Sequence, residues 1–228
     1  MHIILVIVLL LLLVFGPQMW ARYTFRRHAG VLPRIPGTGG ELARHLLDHF
    51  EMPDVLVEKT EKGDHYDPER RAVCLGADNY DHNSLTAIAI AAHEVSHAIQ
   101  HQRNEPKFTL RRRLVKLAQT TQQVGAAAML LLPVAMAITR APAAGLIMGA
   151  IGLGSMASAT LVHLVTLPVE LDASFGKALP ILKSGDYIQP EDEAAVRQVL
   201  RAAAFTYVAS SLASLLNLGR WLAFLRRA

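Results

Sequence analysis

Residues 93–97 read His-Glu-Val-Ser-His and carry the clearest chemical pattern in the chain. His93 and His97 are four residues apart, so on a helix their imidazoles lie on one face, one turn apart. Two imidazoles in this arrangement can bind one zinc ion, and Glu94 can act as a general base towards a water that the metal activates. The pattern predicts a hydrolytic site with His93 and His97 as metal ligands and Glu94 as the catalytic residue.

A catalytic zinc site of this kind uses three protein ligands and keeps one coordination position open. Glu170 and Asp172, two and four residues after Pro168, are candidates for the third ligand. We expect Glu170 at the start of a helix, where an acidic residue also has a purely structural explanation. Asp172 is explained equally well as a helix-start charge or as a partner that supports a ligand. Position alone leaves these alternatives open.

Three further side chains are candidates for supporting roles. His101 continues the four-residue series of His93 and His97, but a fourth protein ligand would close the site. We therefore interpret His101 as a polar residue near the helix end or a support for a ligand. Hydrolysis through a tetrahedral intermediate also needs an additional hydrogen-bond donor. Tyr80, Tyr207 and His101 are the candidates for it.

The motif lies within a predicted helix from Leu85 to about Arg103. Residues 81–84 offer N-cap side chains before this helix, and the Asn-Glu-Pro sequence at 104–106 ends it. Alanine and isoleucine residues on the N-terminal side of the motif predict that the helix is buried. An apolar surround strengthens electrostatic interactions at a metal.

Smaller elements precede this helix. The pattern predicts a helix at 41–50 and strands at 55–60 and 72–75, joined by a turn-rich stretch at 63–68. We expect the two strands to pair as a hairpin with a long loop. Either strand could bind an extended substrate by edge pairing.

The apolar residues, 52% of the chain, are concentrated in blocks at 3–15, 124–138, 143–167 and 202–218. This distribution is typical of a membrane protein with a polar domain. No positive region precedes the first block, which favours an uncleaved anchor over a signal peptide. We interpret the second and third blocks as a transmembrane hairpin and leave open whether the last one spans.

The expected topology follows from the basic residues. A hairpin returns the chain to its starting side, so residues after 167 should lie on the side of the zinc motif. Basic residues cluster at 22–34 and 103–116, whereas the hairpin tip contains only Arg140. The positive-inside tendency then places the polar region in the cytoplasm. The lipid bilayer is accordingly an expected partner.

Two bulk properties narrow the function classes. The net charge of +4 is compatible with nucleic-acid binding, but the basic residues lie beside the apolar blocks, where membrane topology explains them. We therefore expect no nucleic-acid partner. Cys74 is the only cysteine, so no internal disulfide constrains the fold.

The segments AAHEVSHAIQ, VTLPVELDAS and VLRAAAFTYVAS, with the upstream YDP and SLTAIAIAAHE, resemble in this order the YugP-type membrane zinc metallopeptidases of bacteria. The resemblance extends from about Arg34 to Ala213, and the anchor and hairpin agree with it. It is far more specific than the five-residue motif alone. It implies a zinc-dependent, membrane-embedded, peptidase-like protein.

The resemblance also implies roles for individual residues. One Zn²⁺ would be held by His93, His97 and Glu170, with Glu94 catalytic. The family commonly has glycine where this chain has Ser96. Serine is tolerated in a helix, so the departure concerns close packing on that side and leaves the ligands unaffected.

The sequence thus predicts a mainly α membrane protein with a zincin-like metallopeptidase core, a small β-hairpin or sheet, an N-terminal anchor and a transmembrane hairpin. Its expected regions are an anchor at 1–23, a zincin-like catalytic region at 24–120, a transmembrane hairpin at 121–167, and a third-ligand helix with C-terminal membrane-associated helices at 168–228.

The expected function is zinc-dependent hydrolysis of peptide bonds in protein or peptide substrates at or near the membrane. A multi-pass protein of the bacterial inner membrane, with its polar catalytic region in the cytoplasm, is the expected setting. The alternatives are a catalytically silent zinc-binding membrane adaptor or scaffold and a structural zinc site in a transporter-like bundle, because the resemblance supports the metal better than the substrate.

Overall fold

A computed structural model describes residues 2–139, 162 and 165–206, with only the backbone described for 2–14, 122 and 124–139. Its helices are α1 (His2–Arg27), α2 (Gly39–His49), α3 (Ala77–Asp81), α4 (Leu85–Gln102), α5 (Pro106–Thr139), α6 (165–171), a π-helix (Asp172–Ala178), α7 (Leu179–Ser184), a 3₁₀ turn (Pro190–Asp192) and α8 (193–206). Its strands are β1 (Leu56–Lys59), β2 (His65–Asp67) and β3 (Ala72–Leu75). The described part of the chain is therefore mainly helical with one small sheet, as the sequence predicted.

Helix α4 lies at the centre of the fold, and every residue from Leu85 to Gln100 is buried. Its first turn is capped by Ser84, whose Oγ accepts the backbone N–H of Ala87 at 3.1 Å. Helices α2, α3 and α7, the sheet and the π-helix surround α4. A helix covered on all sides can be apolar on all sides. The predicted helix and its cap are confirmed.

Helix α2 packs an apolar face against α4. It begins with a capping box in which the Glu41 N–H donates to Thr38 Oγ1 (3.2 Å) and the Thr38 N–H donates to Glu41 Oε2 (2.9 Å). Gly39 permits close approach to α3, because a Cβ at this position would lie only 2.1 Å from the Asn79 carbonyl oxygen. The buried side chains of this face are Leu42, Ala43, Leu46 and Leu47.

The sheet has the order β1-β3-β2. Strand β1 pairs with β3 in parallel, with Leu56 opposite Ala72, and β2 pairs with β3 antiparallel, with His65 opposite Cys74. The predicted hairpin of the first and last strands is therefore wrong. Residues 65–67, expected in a turn, form β2, and two reversals of direction between β1 and β3 leave those strands parallel. Strand β3 is central, so it has no free edge for a substrate.

The chain comes back to α4 through residues 165–178, which we call the return segment. Here α6 passes directly into the π-helix, whose wider turn is a rare form often found at functional sites. Pro168 lies inside α6, so Glu170 is not at a helix start, and that prediction is wrong. Ala173, Ser174 and Ala178 of the π-helix are buried.

The membrane part of the predicted fold class is contradicted. A bilayer span takes about 20 consecutive apolar residues, and none of the helices within residues 2–139 and 165–206 is both long and apolar enough. The predicted N-terminal anchor and transmembrane hairpin are thus not supported. Residues 140–161 of the hairpin and most of the block at 202–218 lie outside the described residues.

Candidate metal centre

Three buried side chains from α4 and the return segment meet at one point. His93 Nε2 and His97 Nε2 each lie 3.1 Å from Glu170 Oε2. The relative exposures of His93, His97 and Glu170 are 3%, 4% and 0%. The possible ligand atoms of all three residues lie within 4.8 Å of one another. This trio is a group that could hold a metal ion.

Gln100 determines which nitrogen of His97 faces the centre. Its Nε2 donates to the Val169 carbonyl oxygen (3.0 Å) and to Asp172 Oδ2 (2.8 Å), so its Oε1 remains an acceptor. That oxygen lies 2.9 Å from His97 Nδ1. His97 Nδ1–H must therefore donate to Gln100, which leaves a lone pair on Nε2 when the ring is neutral.

Ser174 of the π-helix orients His93 in the same way. Its hydroxyl donates to the Leu200 carbonyl oxygen at 3.0 Å, which uses its single proton. His93 Nδ1, also 3.0 Å from Ser174 Oγ, must then be the donor of their hydrogen bond. The neutral ring again presents an Nε2 lone pair to Glu170.

These fixed hydrogen-bond directions test whether the site fits a metal. Burial opposes ionisation of Glu170, but the adjacent charges of His97 and Arg111 and the imidazole contacts hold the pKa of this carboxyl well below its ordinary value. Glu170 Oε1 has no hydrogen-bond partner, and Arg111 Nη2 lies 3.3 Å from it. The Nε2 lone pairs of the two neutral rings would repel the Glu170 carboxylate. A positive charge between them removes this repulsion, and either a proton on each ring or one bound cation can supply it. Two imidazoles and one carboxylate are a ligand set that zinc takes, so the residues fit this ion.

Glu94 lies beside the trio and is buried. Glu94 follows His93 in the sequence and is only 7% exposed. Burial raises the pKa of Glu94 to about 7, with the nearby Glu170 carboxylate adding to the effect. A carboxyl with such a pKa can both accept and release a proton near neutral pH.

A cleft of about 590 Å³ opens onto these residues. Glu94 and His97 line it together with β2 on one side and α5 on the other. Strand β2 is an edge of the sheet, so it can pair with an extended peptide, whereas the predicted strands do not line this cleft. The sequence offered little sign of β2, because it has three residues and follows a Gly-Asp turn.

The structure places Asp172 and His101 away from the point where the three ligand atoms meet. The Asp172 carboxylate accepts hydrogen bonds from Gln100 and Lys177, which lower its pKa in spite of partial burial. His101 Nδ1 lies 2.9 Å from Tyr66 Oη, and its Nε2 lies 2.8 Å from Arg112 Nη1. Both nitrogens of His101 therefore have other partners.

Tyr66 is a residue of the cleft that the sequence did not single out. Because the Arg112 guanidinium can only donate, His101 Nε2 accepts, and His101 Nδ1–H donates to Tyr66 Oη. The Tyr66 hydroxyl proton is not used in this contact, and burial raises the pKa of the phenol. By contrast, Tyr80 packs under Lys59 and does not line the cleft. Tyr207 lies outside the described residues.

Comparisons with known proteins agree with this geometry. Residues 3–226 match the model of a family described as "Putative neutral zinc metallopeptidase". The chain is 36% identical over 217 residues to the "Putative membrane protease YugP" of Bacillus subtilis (strain 168), covering 90% of each chain. No solved structure gives a significant match. The resemblance seen in the sequence is confirmed, and this chain belongs to the family described as "Putative neutral zinc metallopeptidase".

Proposed function

We propose that the protein is a zinc-dependent metallopeptidase that hydrolyses peptide bonds of protein or peptide substrates. His93, His97 and Glu170 hold one zinc ion, and Glu94 is the catalytic residue. The observation that carries the proposal is the pair of fixed imidazoles, each aimed by its own acceptor at one buried carboxylate. Partners that fix the tautomer of a ligating histidine are typical of zinc sites.

A bound zinc ion would act as a Lewis acid on the scissile carbonyl and lower the pKa of water towards about 7. Glu94 takes a proton from the attacking water and later passes it to the leaving nitrogen. Its pKa of about 7 suits both transfers.

Tyr66 is the proposed hydrogen-bond donor to the carbonyl oxygen as that oxygen becomes negative. Its hydroxyl is held by His101, its proton remains available, and it lines the same cleft as Glu94. We expect Tyr66→Phe to retain zinc and to lower kcat about 10²-fold, the typical cost of removing one such donor. An unchanged kcat would exclude Tyr66 from this role.

The decisive test of the proposed activity compares Glu94→Gln with the exposed control Glu61→Gln, using zinc-loaded full-length protein and a library of quenched fluorescent peptides. We expect Glu94→Gln to retain wild-type zinc content and to lose hydrolysis by about 10²–10⁴-fold. Glu61→Gln should behave as wild type. Wild-type protein that binds zinc but cleaves no peptide would instead indicate the silent adaptor.

The B. subtilis relative is named a membrane protease. We extend that setting to this chain as a proposal of association with a bacterial membrane, without assigning a number of spans. Co-sedimentation of the full-length protein with cell membranes tests it, and recovery in the soluble fraction alone would contradict it.

A further inference from the structure

The two walls of the catalytic cleft differ in charge. One wall is α5, which contributes Arg112, Arg113 and Lys116 among other residues. The other is β2 with the turn that follows it, including Asp67 and Glu69. Both walls line the same cleft as Glu94.

The α5 wall has no acidic residue to balance it. The whole of α5, Pro106–Thr139, contains five basic residues and no Asp or Glu; the basic residues are Lys107, Arg111, Arg112, Arg113 and Lys116. A helix that supplies cations alone to one face of a cleft produces a local positive field that attracts anionic groups.

The basic side chains of this wall differ in whether they already have a partner in the protein. Arg111 lies 3.3 Å from the buried Glu170, and Arg112 donates to His101. Arg113 and Lys116 are exposed, and no salt bridge within the described residues pairs either of them. These two side chains are available to a bound molecule.

The acidic groups opposite do not neutralise them. Asp67 Oδ1 accepts the backbone N–H groups of Glu69 (2.9 Å) and Arg70 (3.2 Å), so this carboxylate is held in its own turn. No salt bridge joins Glu69 to α5 among the described residues. The α5 side therefore stays positive while the β2 side stays weakly negative.

From this charge arrangement we propose that the protease selects peptide segments carrying acidic side chains, which Arg113 and Lys116 bind along the α5 wall. The inference rests on the proposed function and names its substrate class. Anionic lipid headgroups are also attracted by cations. A peptide is favoured because these side chains share one cleft with Glu94 and His97.

The test measures binding separately from cleavage. Zinc-loaded, full-length Glu94→Gln protein is titrated, by fluorescence anisotropy, with three peptides of one sequence that carry Glu, Gln or Lys at the positions flanking the scissile bond. We expect the Glu peptide to bind about tenfold more tightly than the Lys peptide, from two exposed charge pairs. The preference should weaken as salt is raised.

The double substitution Arg113→Glu with Lys116→Glu should reverse this order. The matched control, Lys62→Glu with Arg103→Glu, makes the same change of net charge at exposed positions outside the cleft and should preserve it. Equal binding of the three peptides, or an order unchanged by the double substitution, overturns the inference. The inference is also overturned if the double variant loses binding to phosphatidylglycerol vesicles but keeps the wild-type order of affinities for the three peptides. That result would assign Arg113 and Lys116 to lipid binding.

The two proposals fail separately. Wild-type protein that cleaves the Gln peptide as well as the Glu peptide supports the proposed activity and contradicts the acidic preference. Binding of the Glu peptide without cleavage of any peptide supports the preference and contradicts the activity.

Discussion

Helix α4 and the return segment form the two halves of the candidate metal centre, and they position their side chains differently. In α4, His93 and His97 face one point because they are one regular turn apart. In the return segment, Glu170 is followed at once by a change from α- to π-helix. Ser174 supports His93 across the boundary between the halves, whereas Gln100 supports His97 within α4 and contacts Val169 of the return segment. A five-residue stretch of one helix can thus encode two ligands, whereas the position of the third, Glu170, depends on tertiary contacts.

The largest effect is expected for a substitution of Glu170. It tests whether this residue of the return segment contributes to zinc affinity as a direct ligand, as proposed for the two histidines of α4. Glu170→Gln removes the carboxylate with little change of shape, and we expect zinc affinity to fall by more than about 100-fold. This exceeds the 10–100-fold typical of changes to supporting residues. Competition with a chromophoric chelator measures the affinity.

Asp172→Asn is the matched control, since it makes the same chemical change two residues away. Asp172 contacts Gln100 and Lys177 and lies outside the trio, so this variant should lose less than about tenfold in affinity. A greater loss for Asp172→Asn than for Glu170→Gln would exchange their roles and contradict the assignment of the third ligand.

That pair of variants also marks where sequence reasoning reached its limit. The extent and cap of α4 were predictable because Ser84, the apolar run and the Asn-Glu-Pro ending are local signals. Nothing local separates Glu170 from Asp172, because both follow Pro168 in similar surroundings. Only the contacts with α4 do so, and before the fold was known the family resemblance alone favoured Glu170.

Other errors have the same physical origin. Strand β2 is too short for a periodic pattern, and its place beside β3 depends on pairing along the whole sheet. The apolar blocks predicted spans from composition, but none of the described helices is long and apolar enough to cross a membrane. Tyr66 became visible only when β2 brought it to His101.

A smaller effect is expected at the contact that joins the halves through His93. Ser174→Ala removes the acceptor of His93 Nδ1–H, which frees the ring to change its orientation or tautomer. We expect zinc affinity to fall about 10–100-fold, towards the lower end because His97 keeps its own support. Isothermal titration of zinc into metal-free protein measures it.

Ser96→Ala is the control within α4. Ser96 and Ser174 are both fully buried, but the Ser96 hydroxyl donates only to the Ala92 carbonyl oxygen of its own helix (2.7 Å). Its loss should leave zinc affinity unchanged, because alanine suits a helix at least as well as serine does. Equal losses in the two variants would mean that hydroxyl burial matters and the orientation of His93 does not.

The smallest effect is expected for Gly176→Ala in the π-helix. The higher helix propensity of alanine favours this change, and a steric clash of the added Cβ opposes it. In an ordinary helix this change stabilises by about 0.5–1 kcal/mol. Here the added Cβ would lie 2.5 Å from Asp172 Oδ1, so this carboxylate must shift while its other oxygen, Oδ2, accepts from Gln100 and Lys177. We expect a net change below about 1 kcal/mol in unfolding free energy, with zinc affinity lowered less than tenfold through Gln100.

Gly16→Ala in α1 separates these two contributions, because no atom lies within 4 Å of a Cβ placed there. It should leave zinc affinity unchanged, and denaturant titration measures the stability effect of a helical Gly→Ala change that meets no neighbouring atom, in this case next to Pro17. If Gly176→Ala gains as much stability and also binds zinc as wild type, the π-helix tolerates displacement of Asp172. In that case the return segment needs only Glu170 and Ser174 at the centre, and its contact through Gln100 serves packing alone.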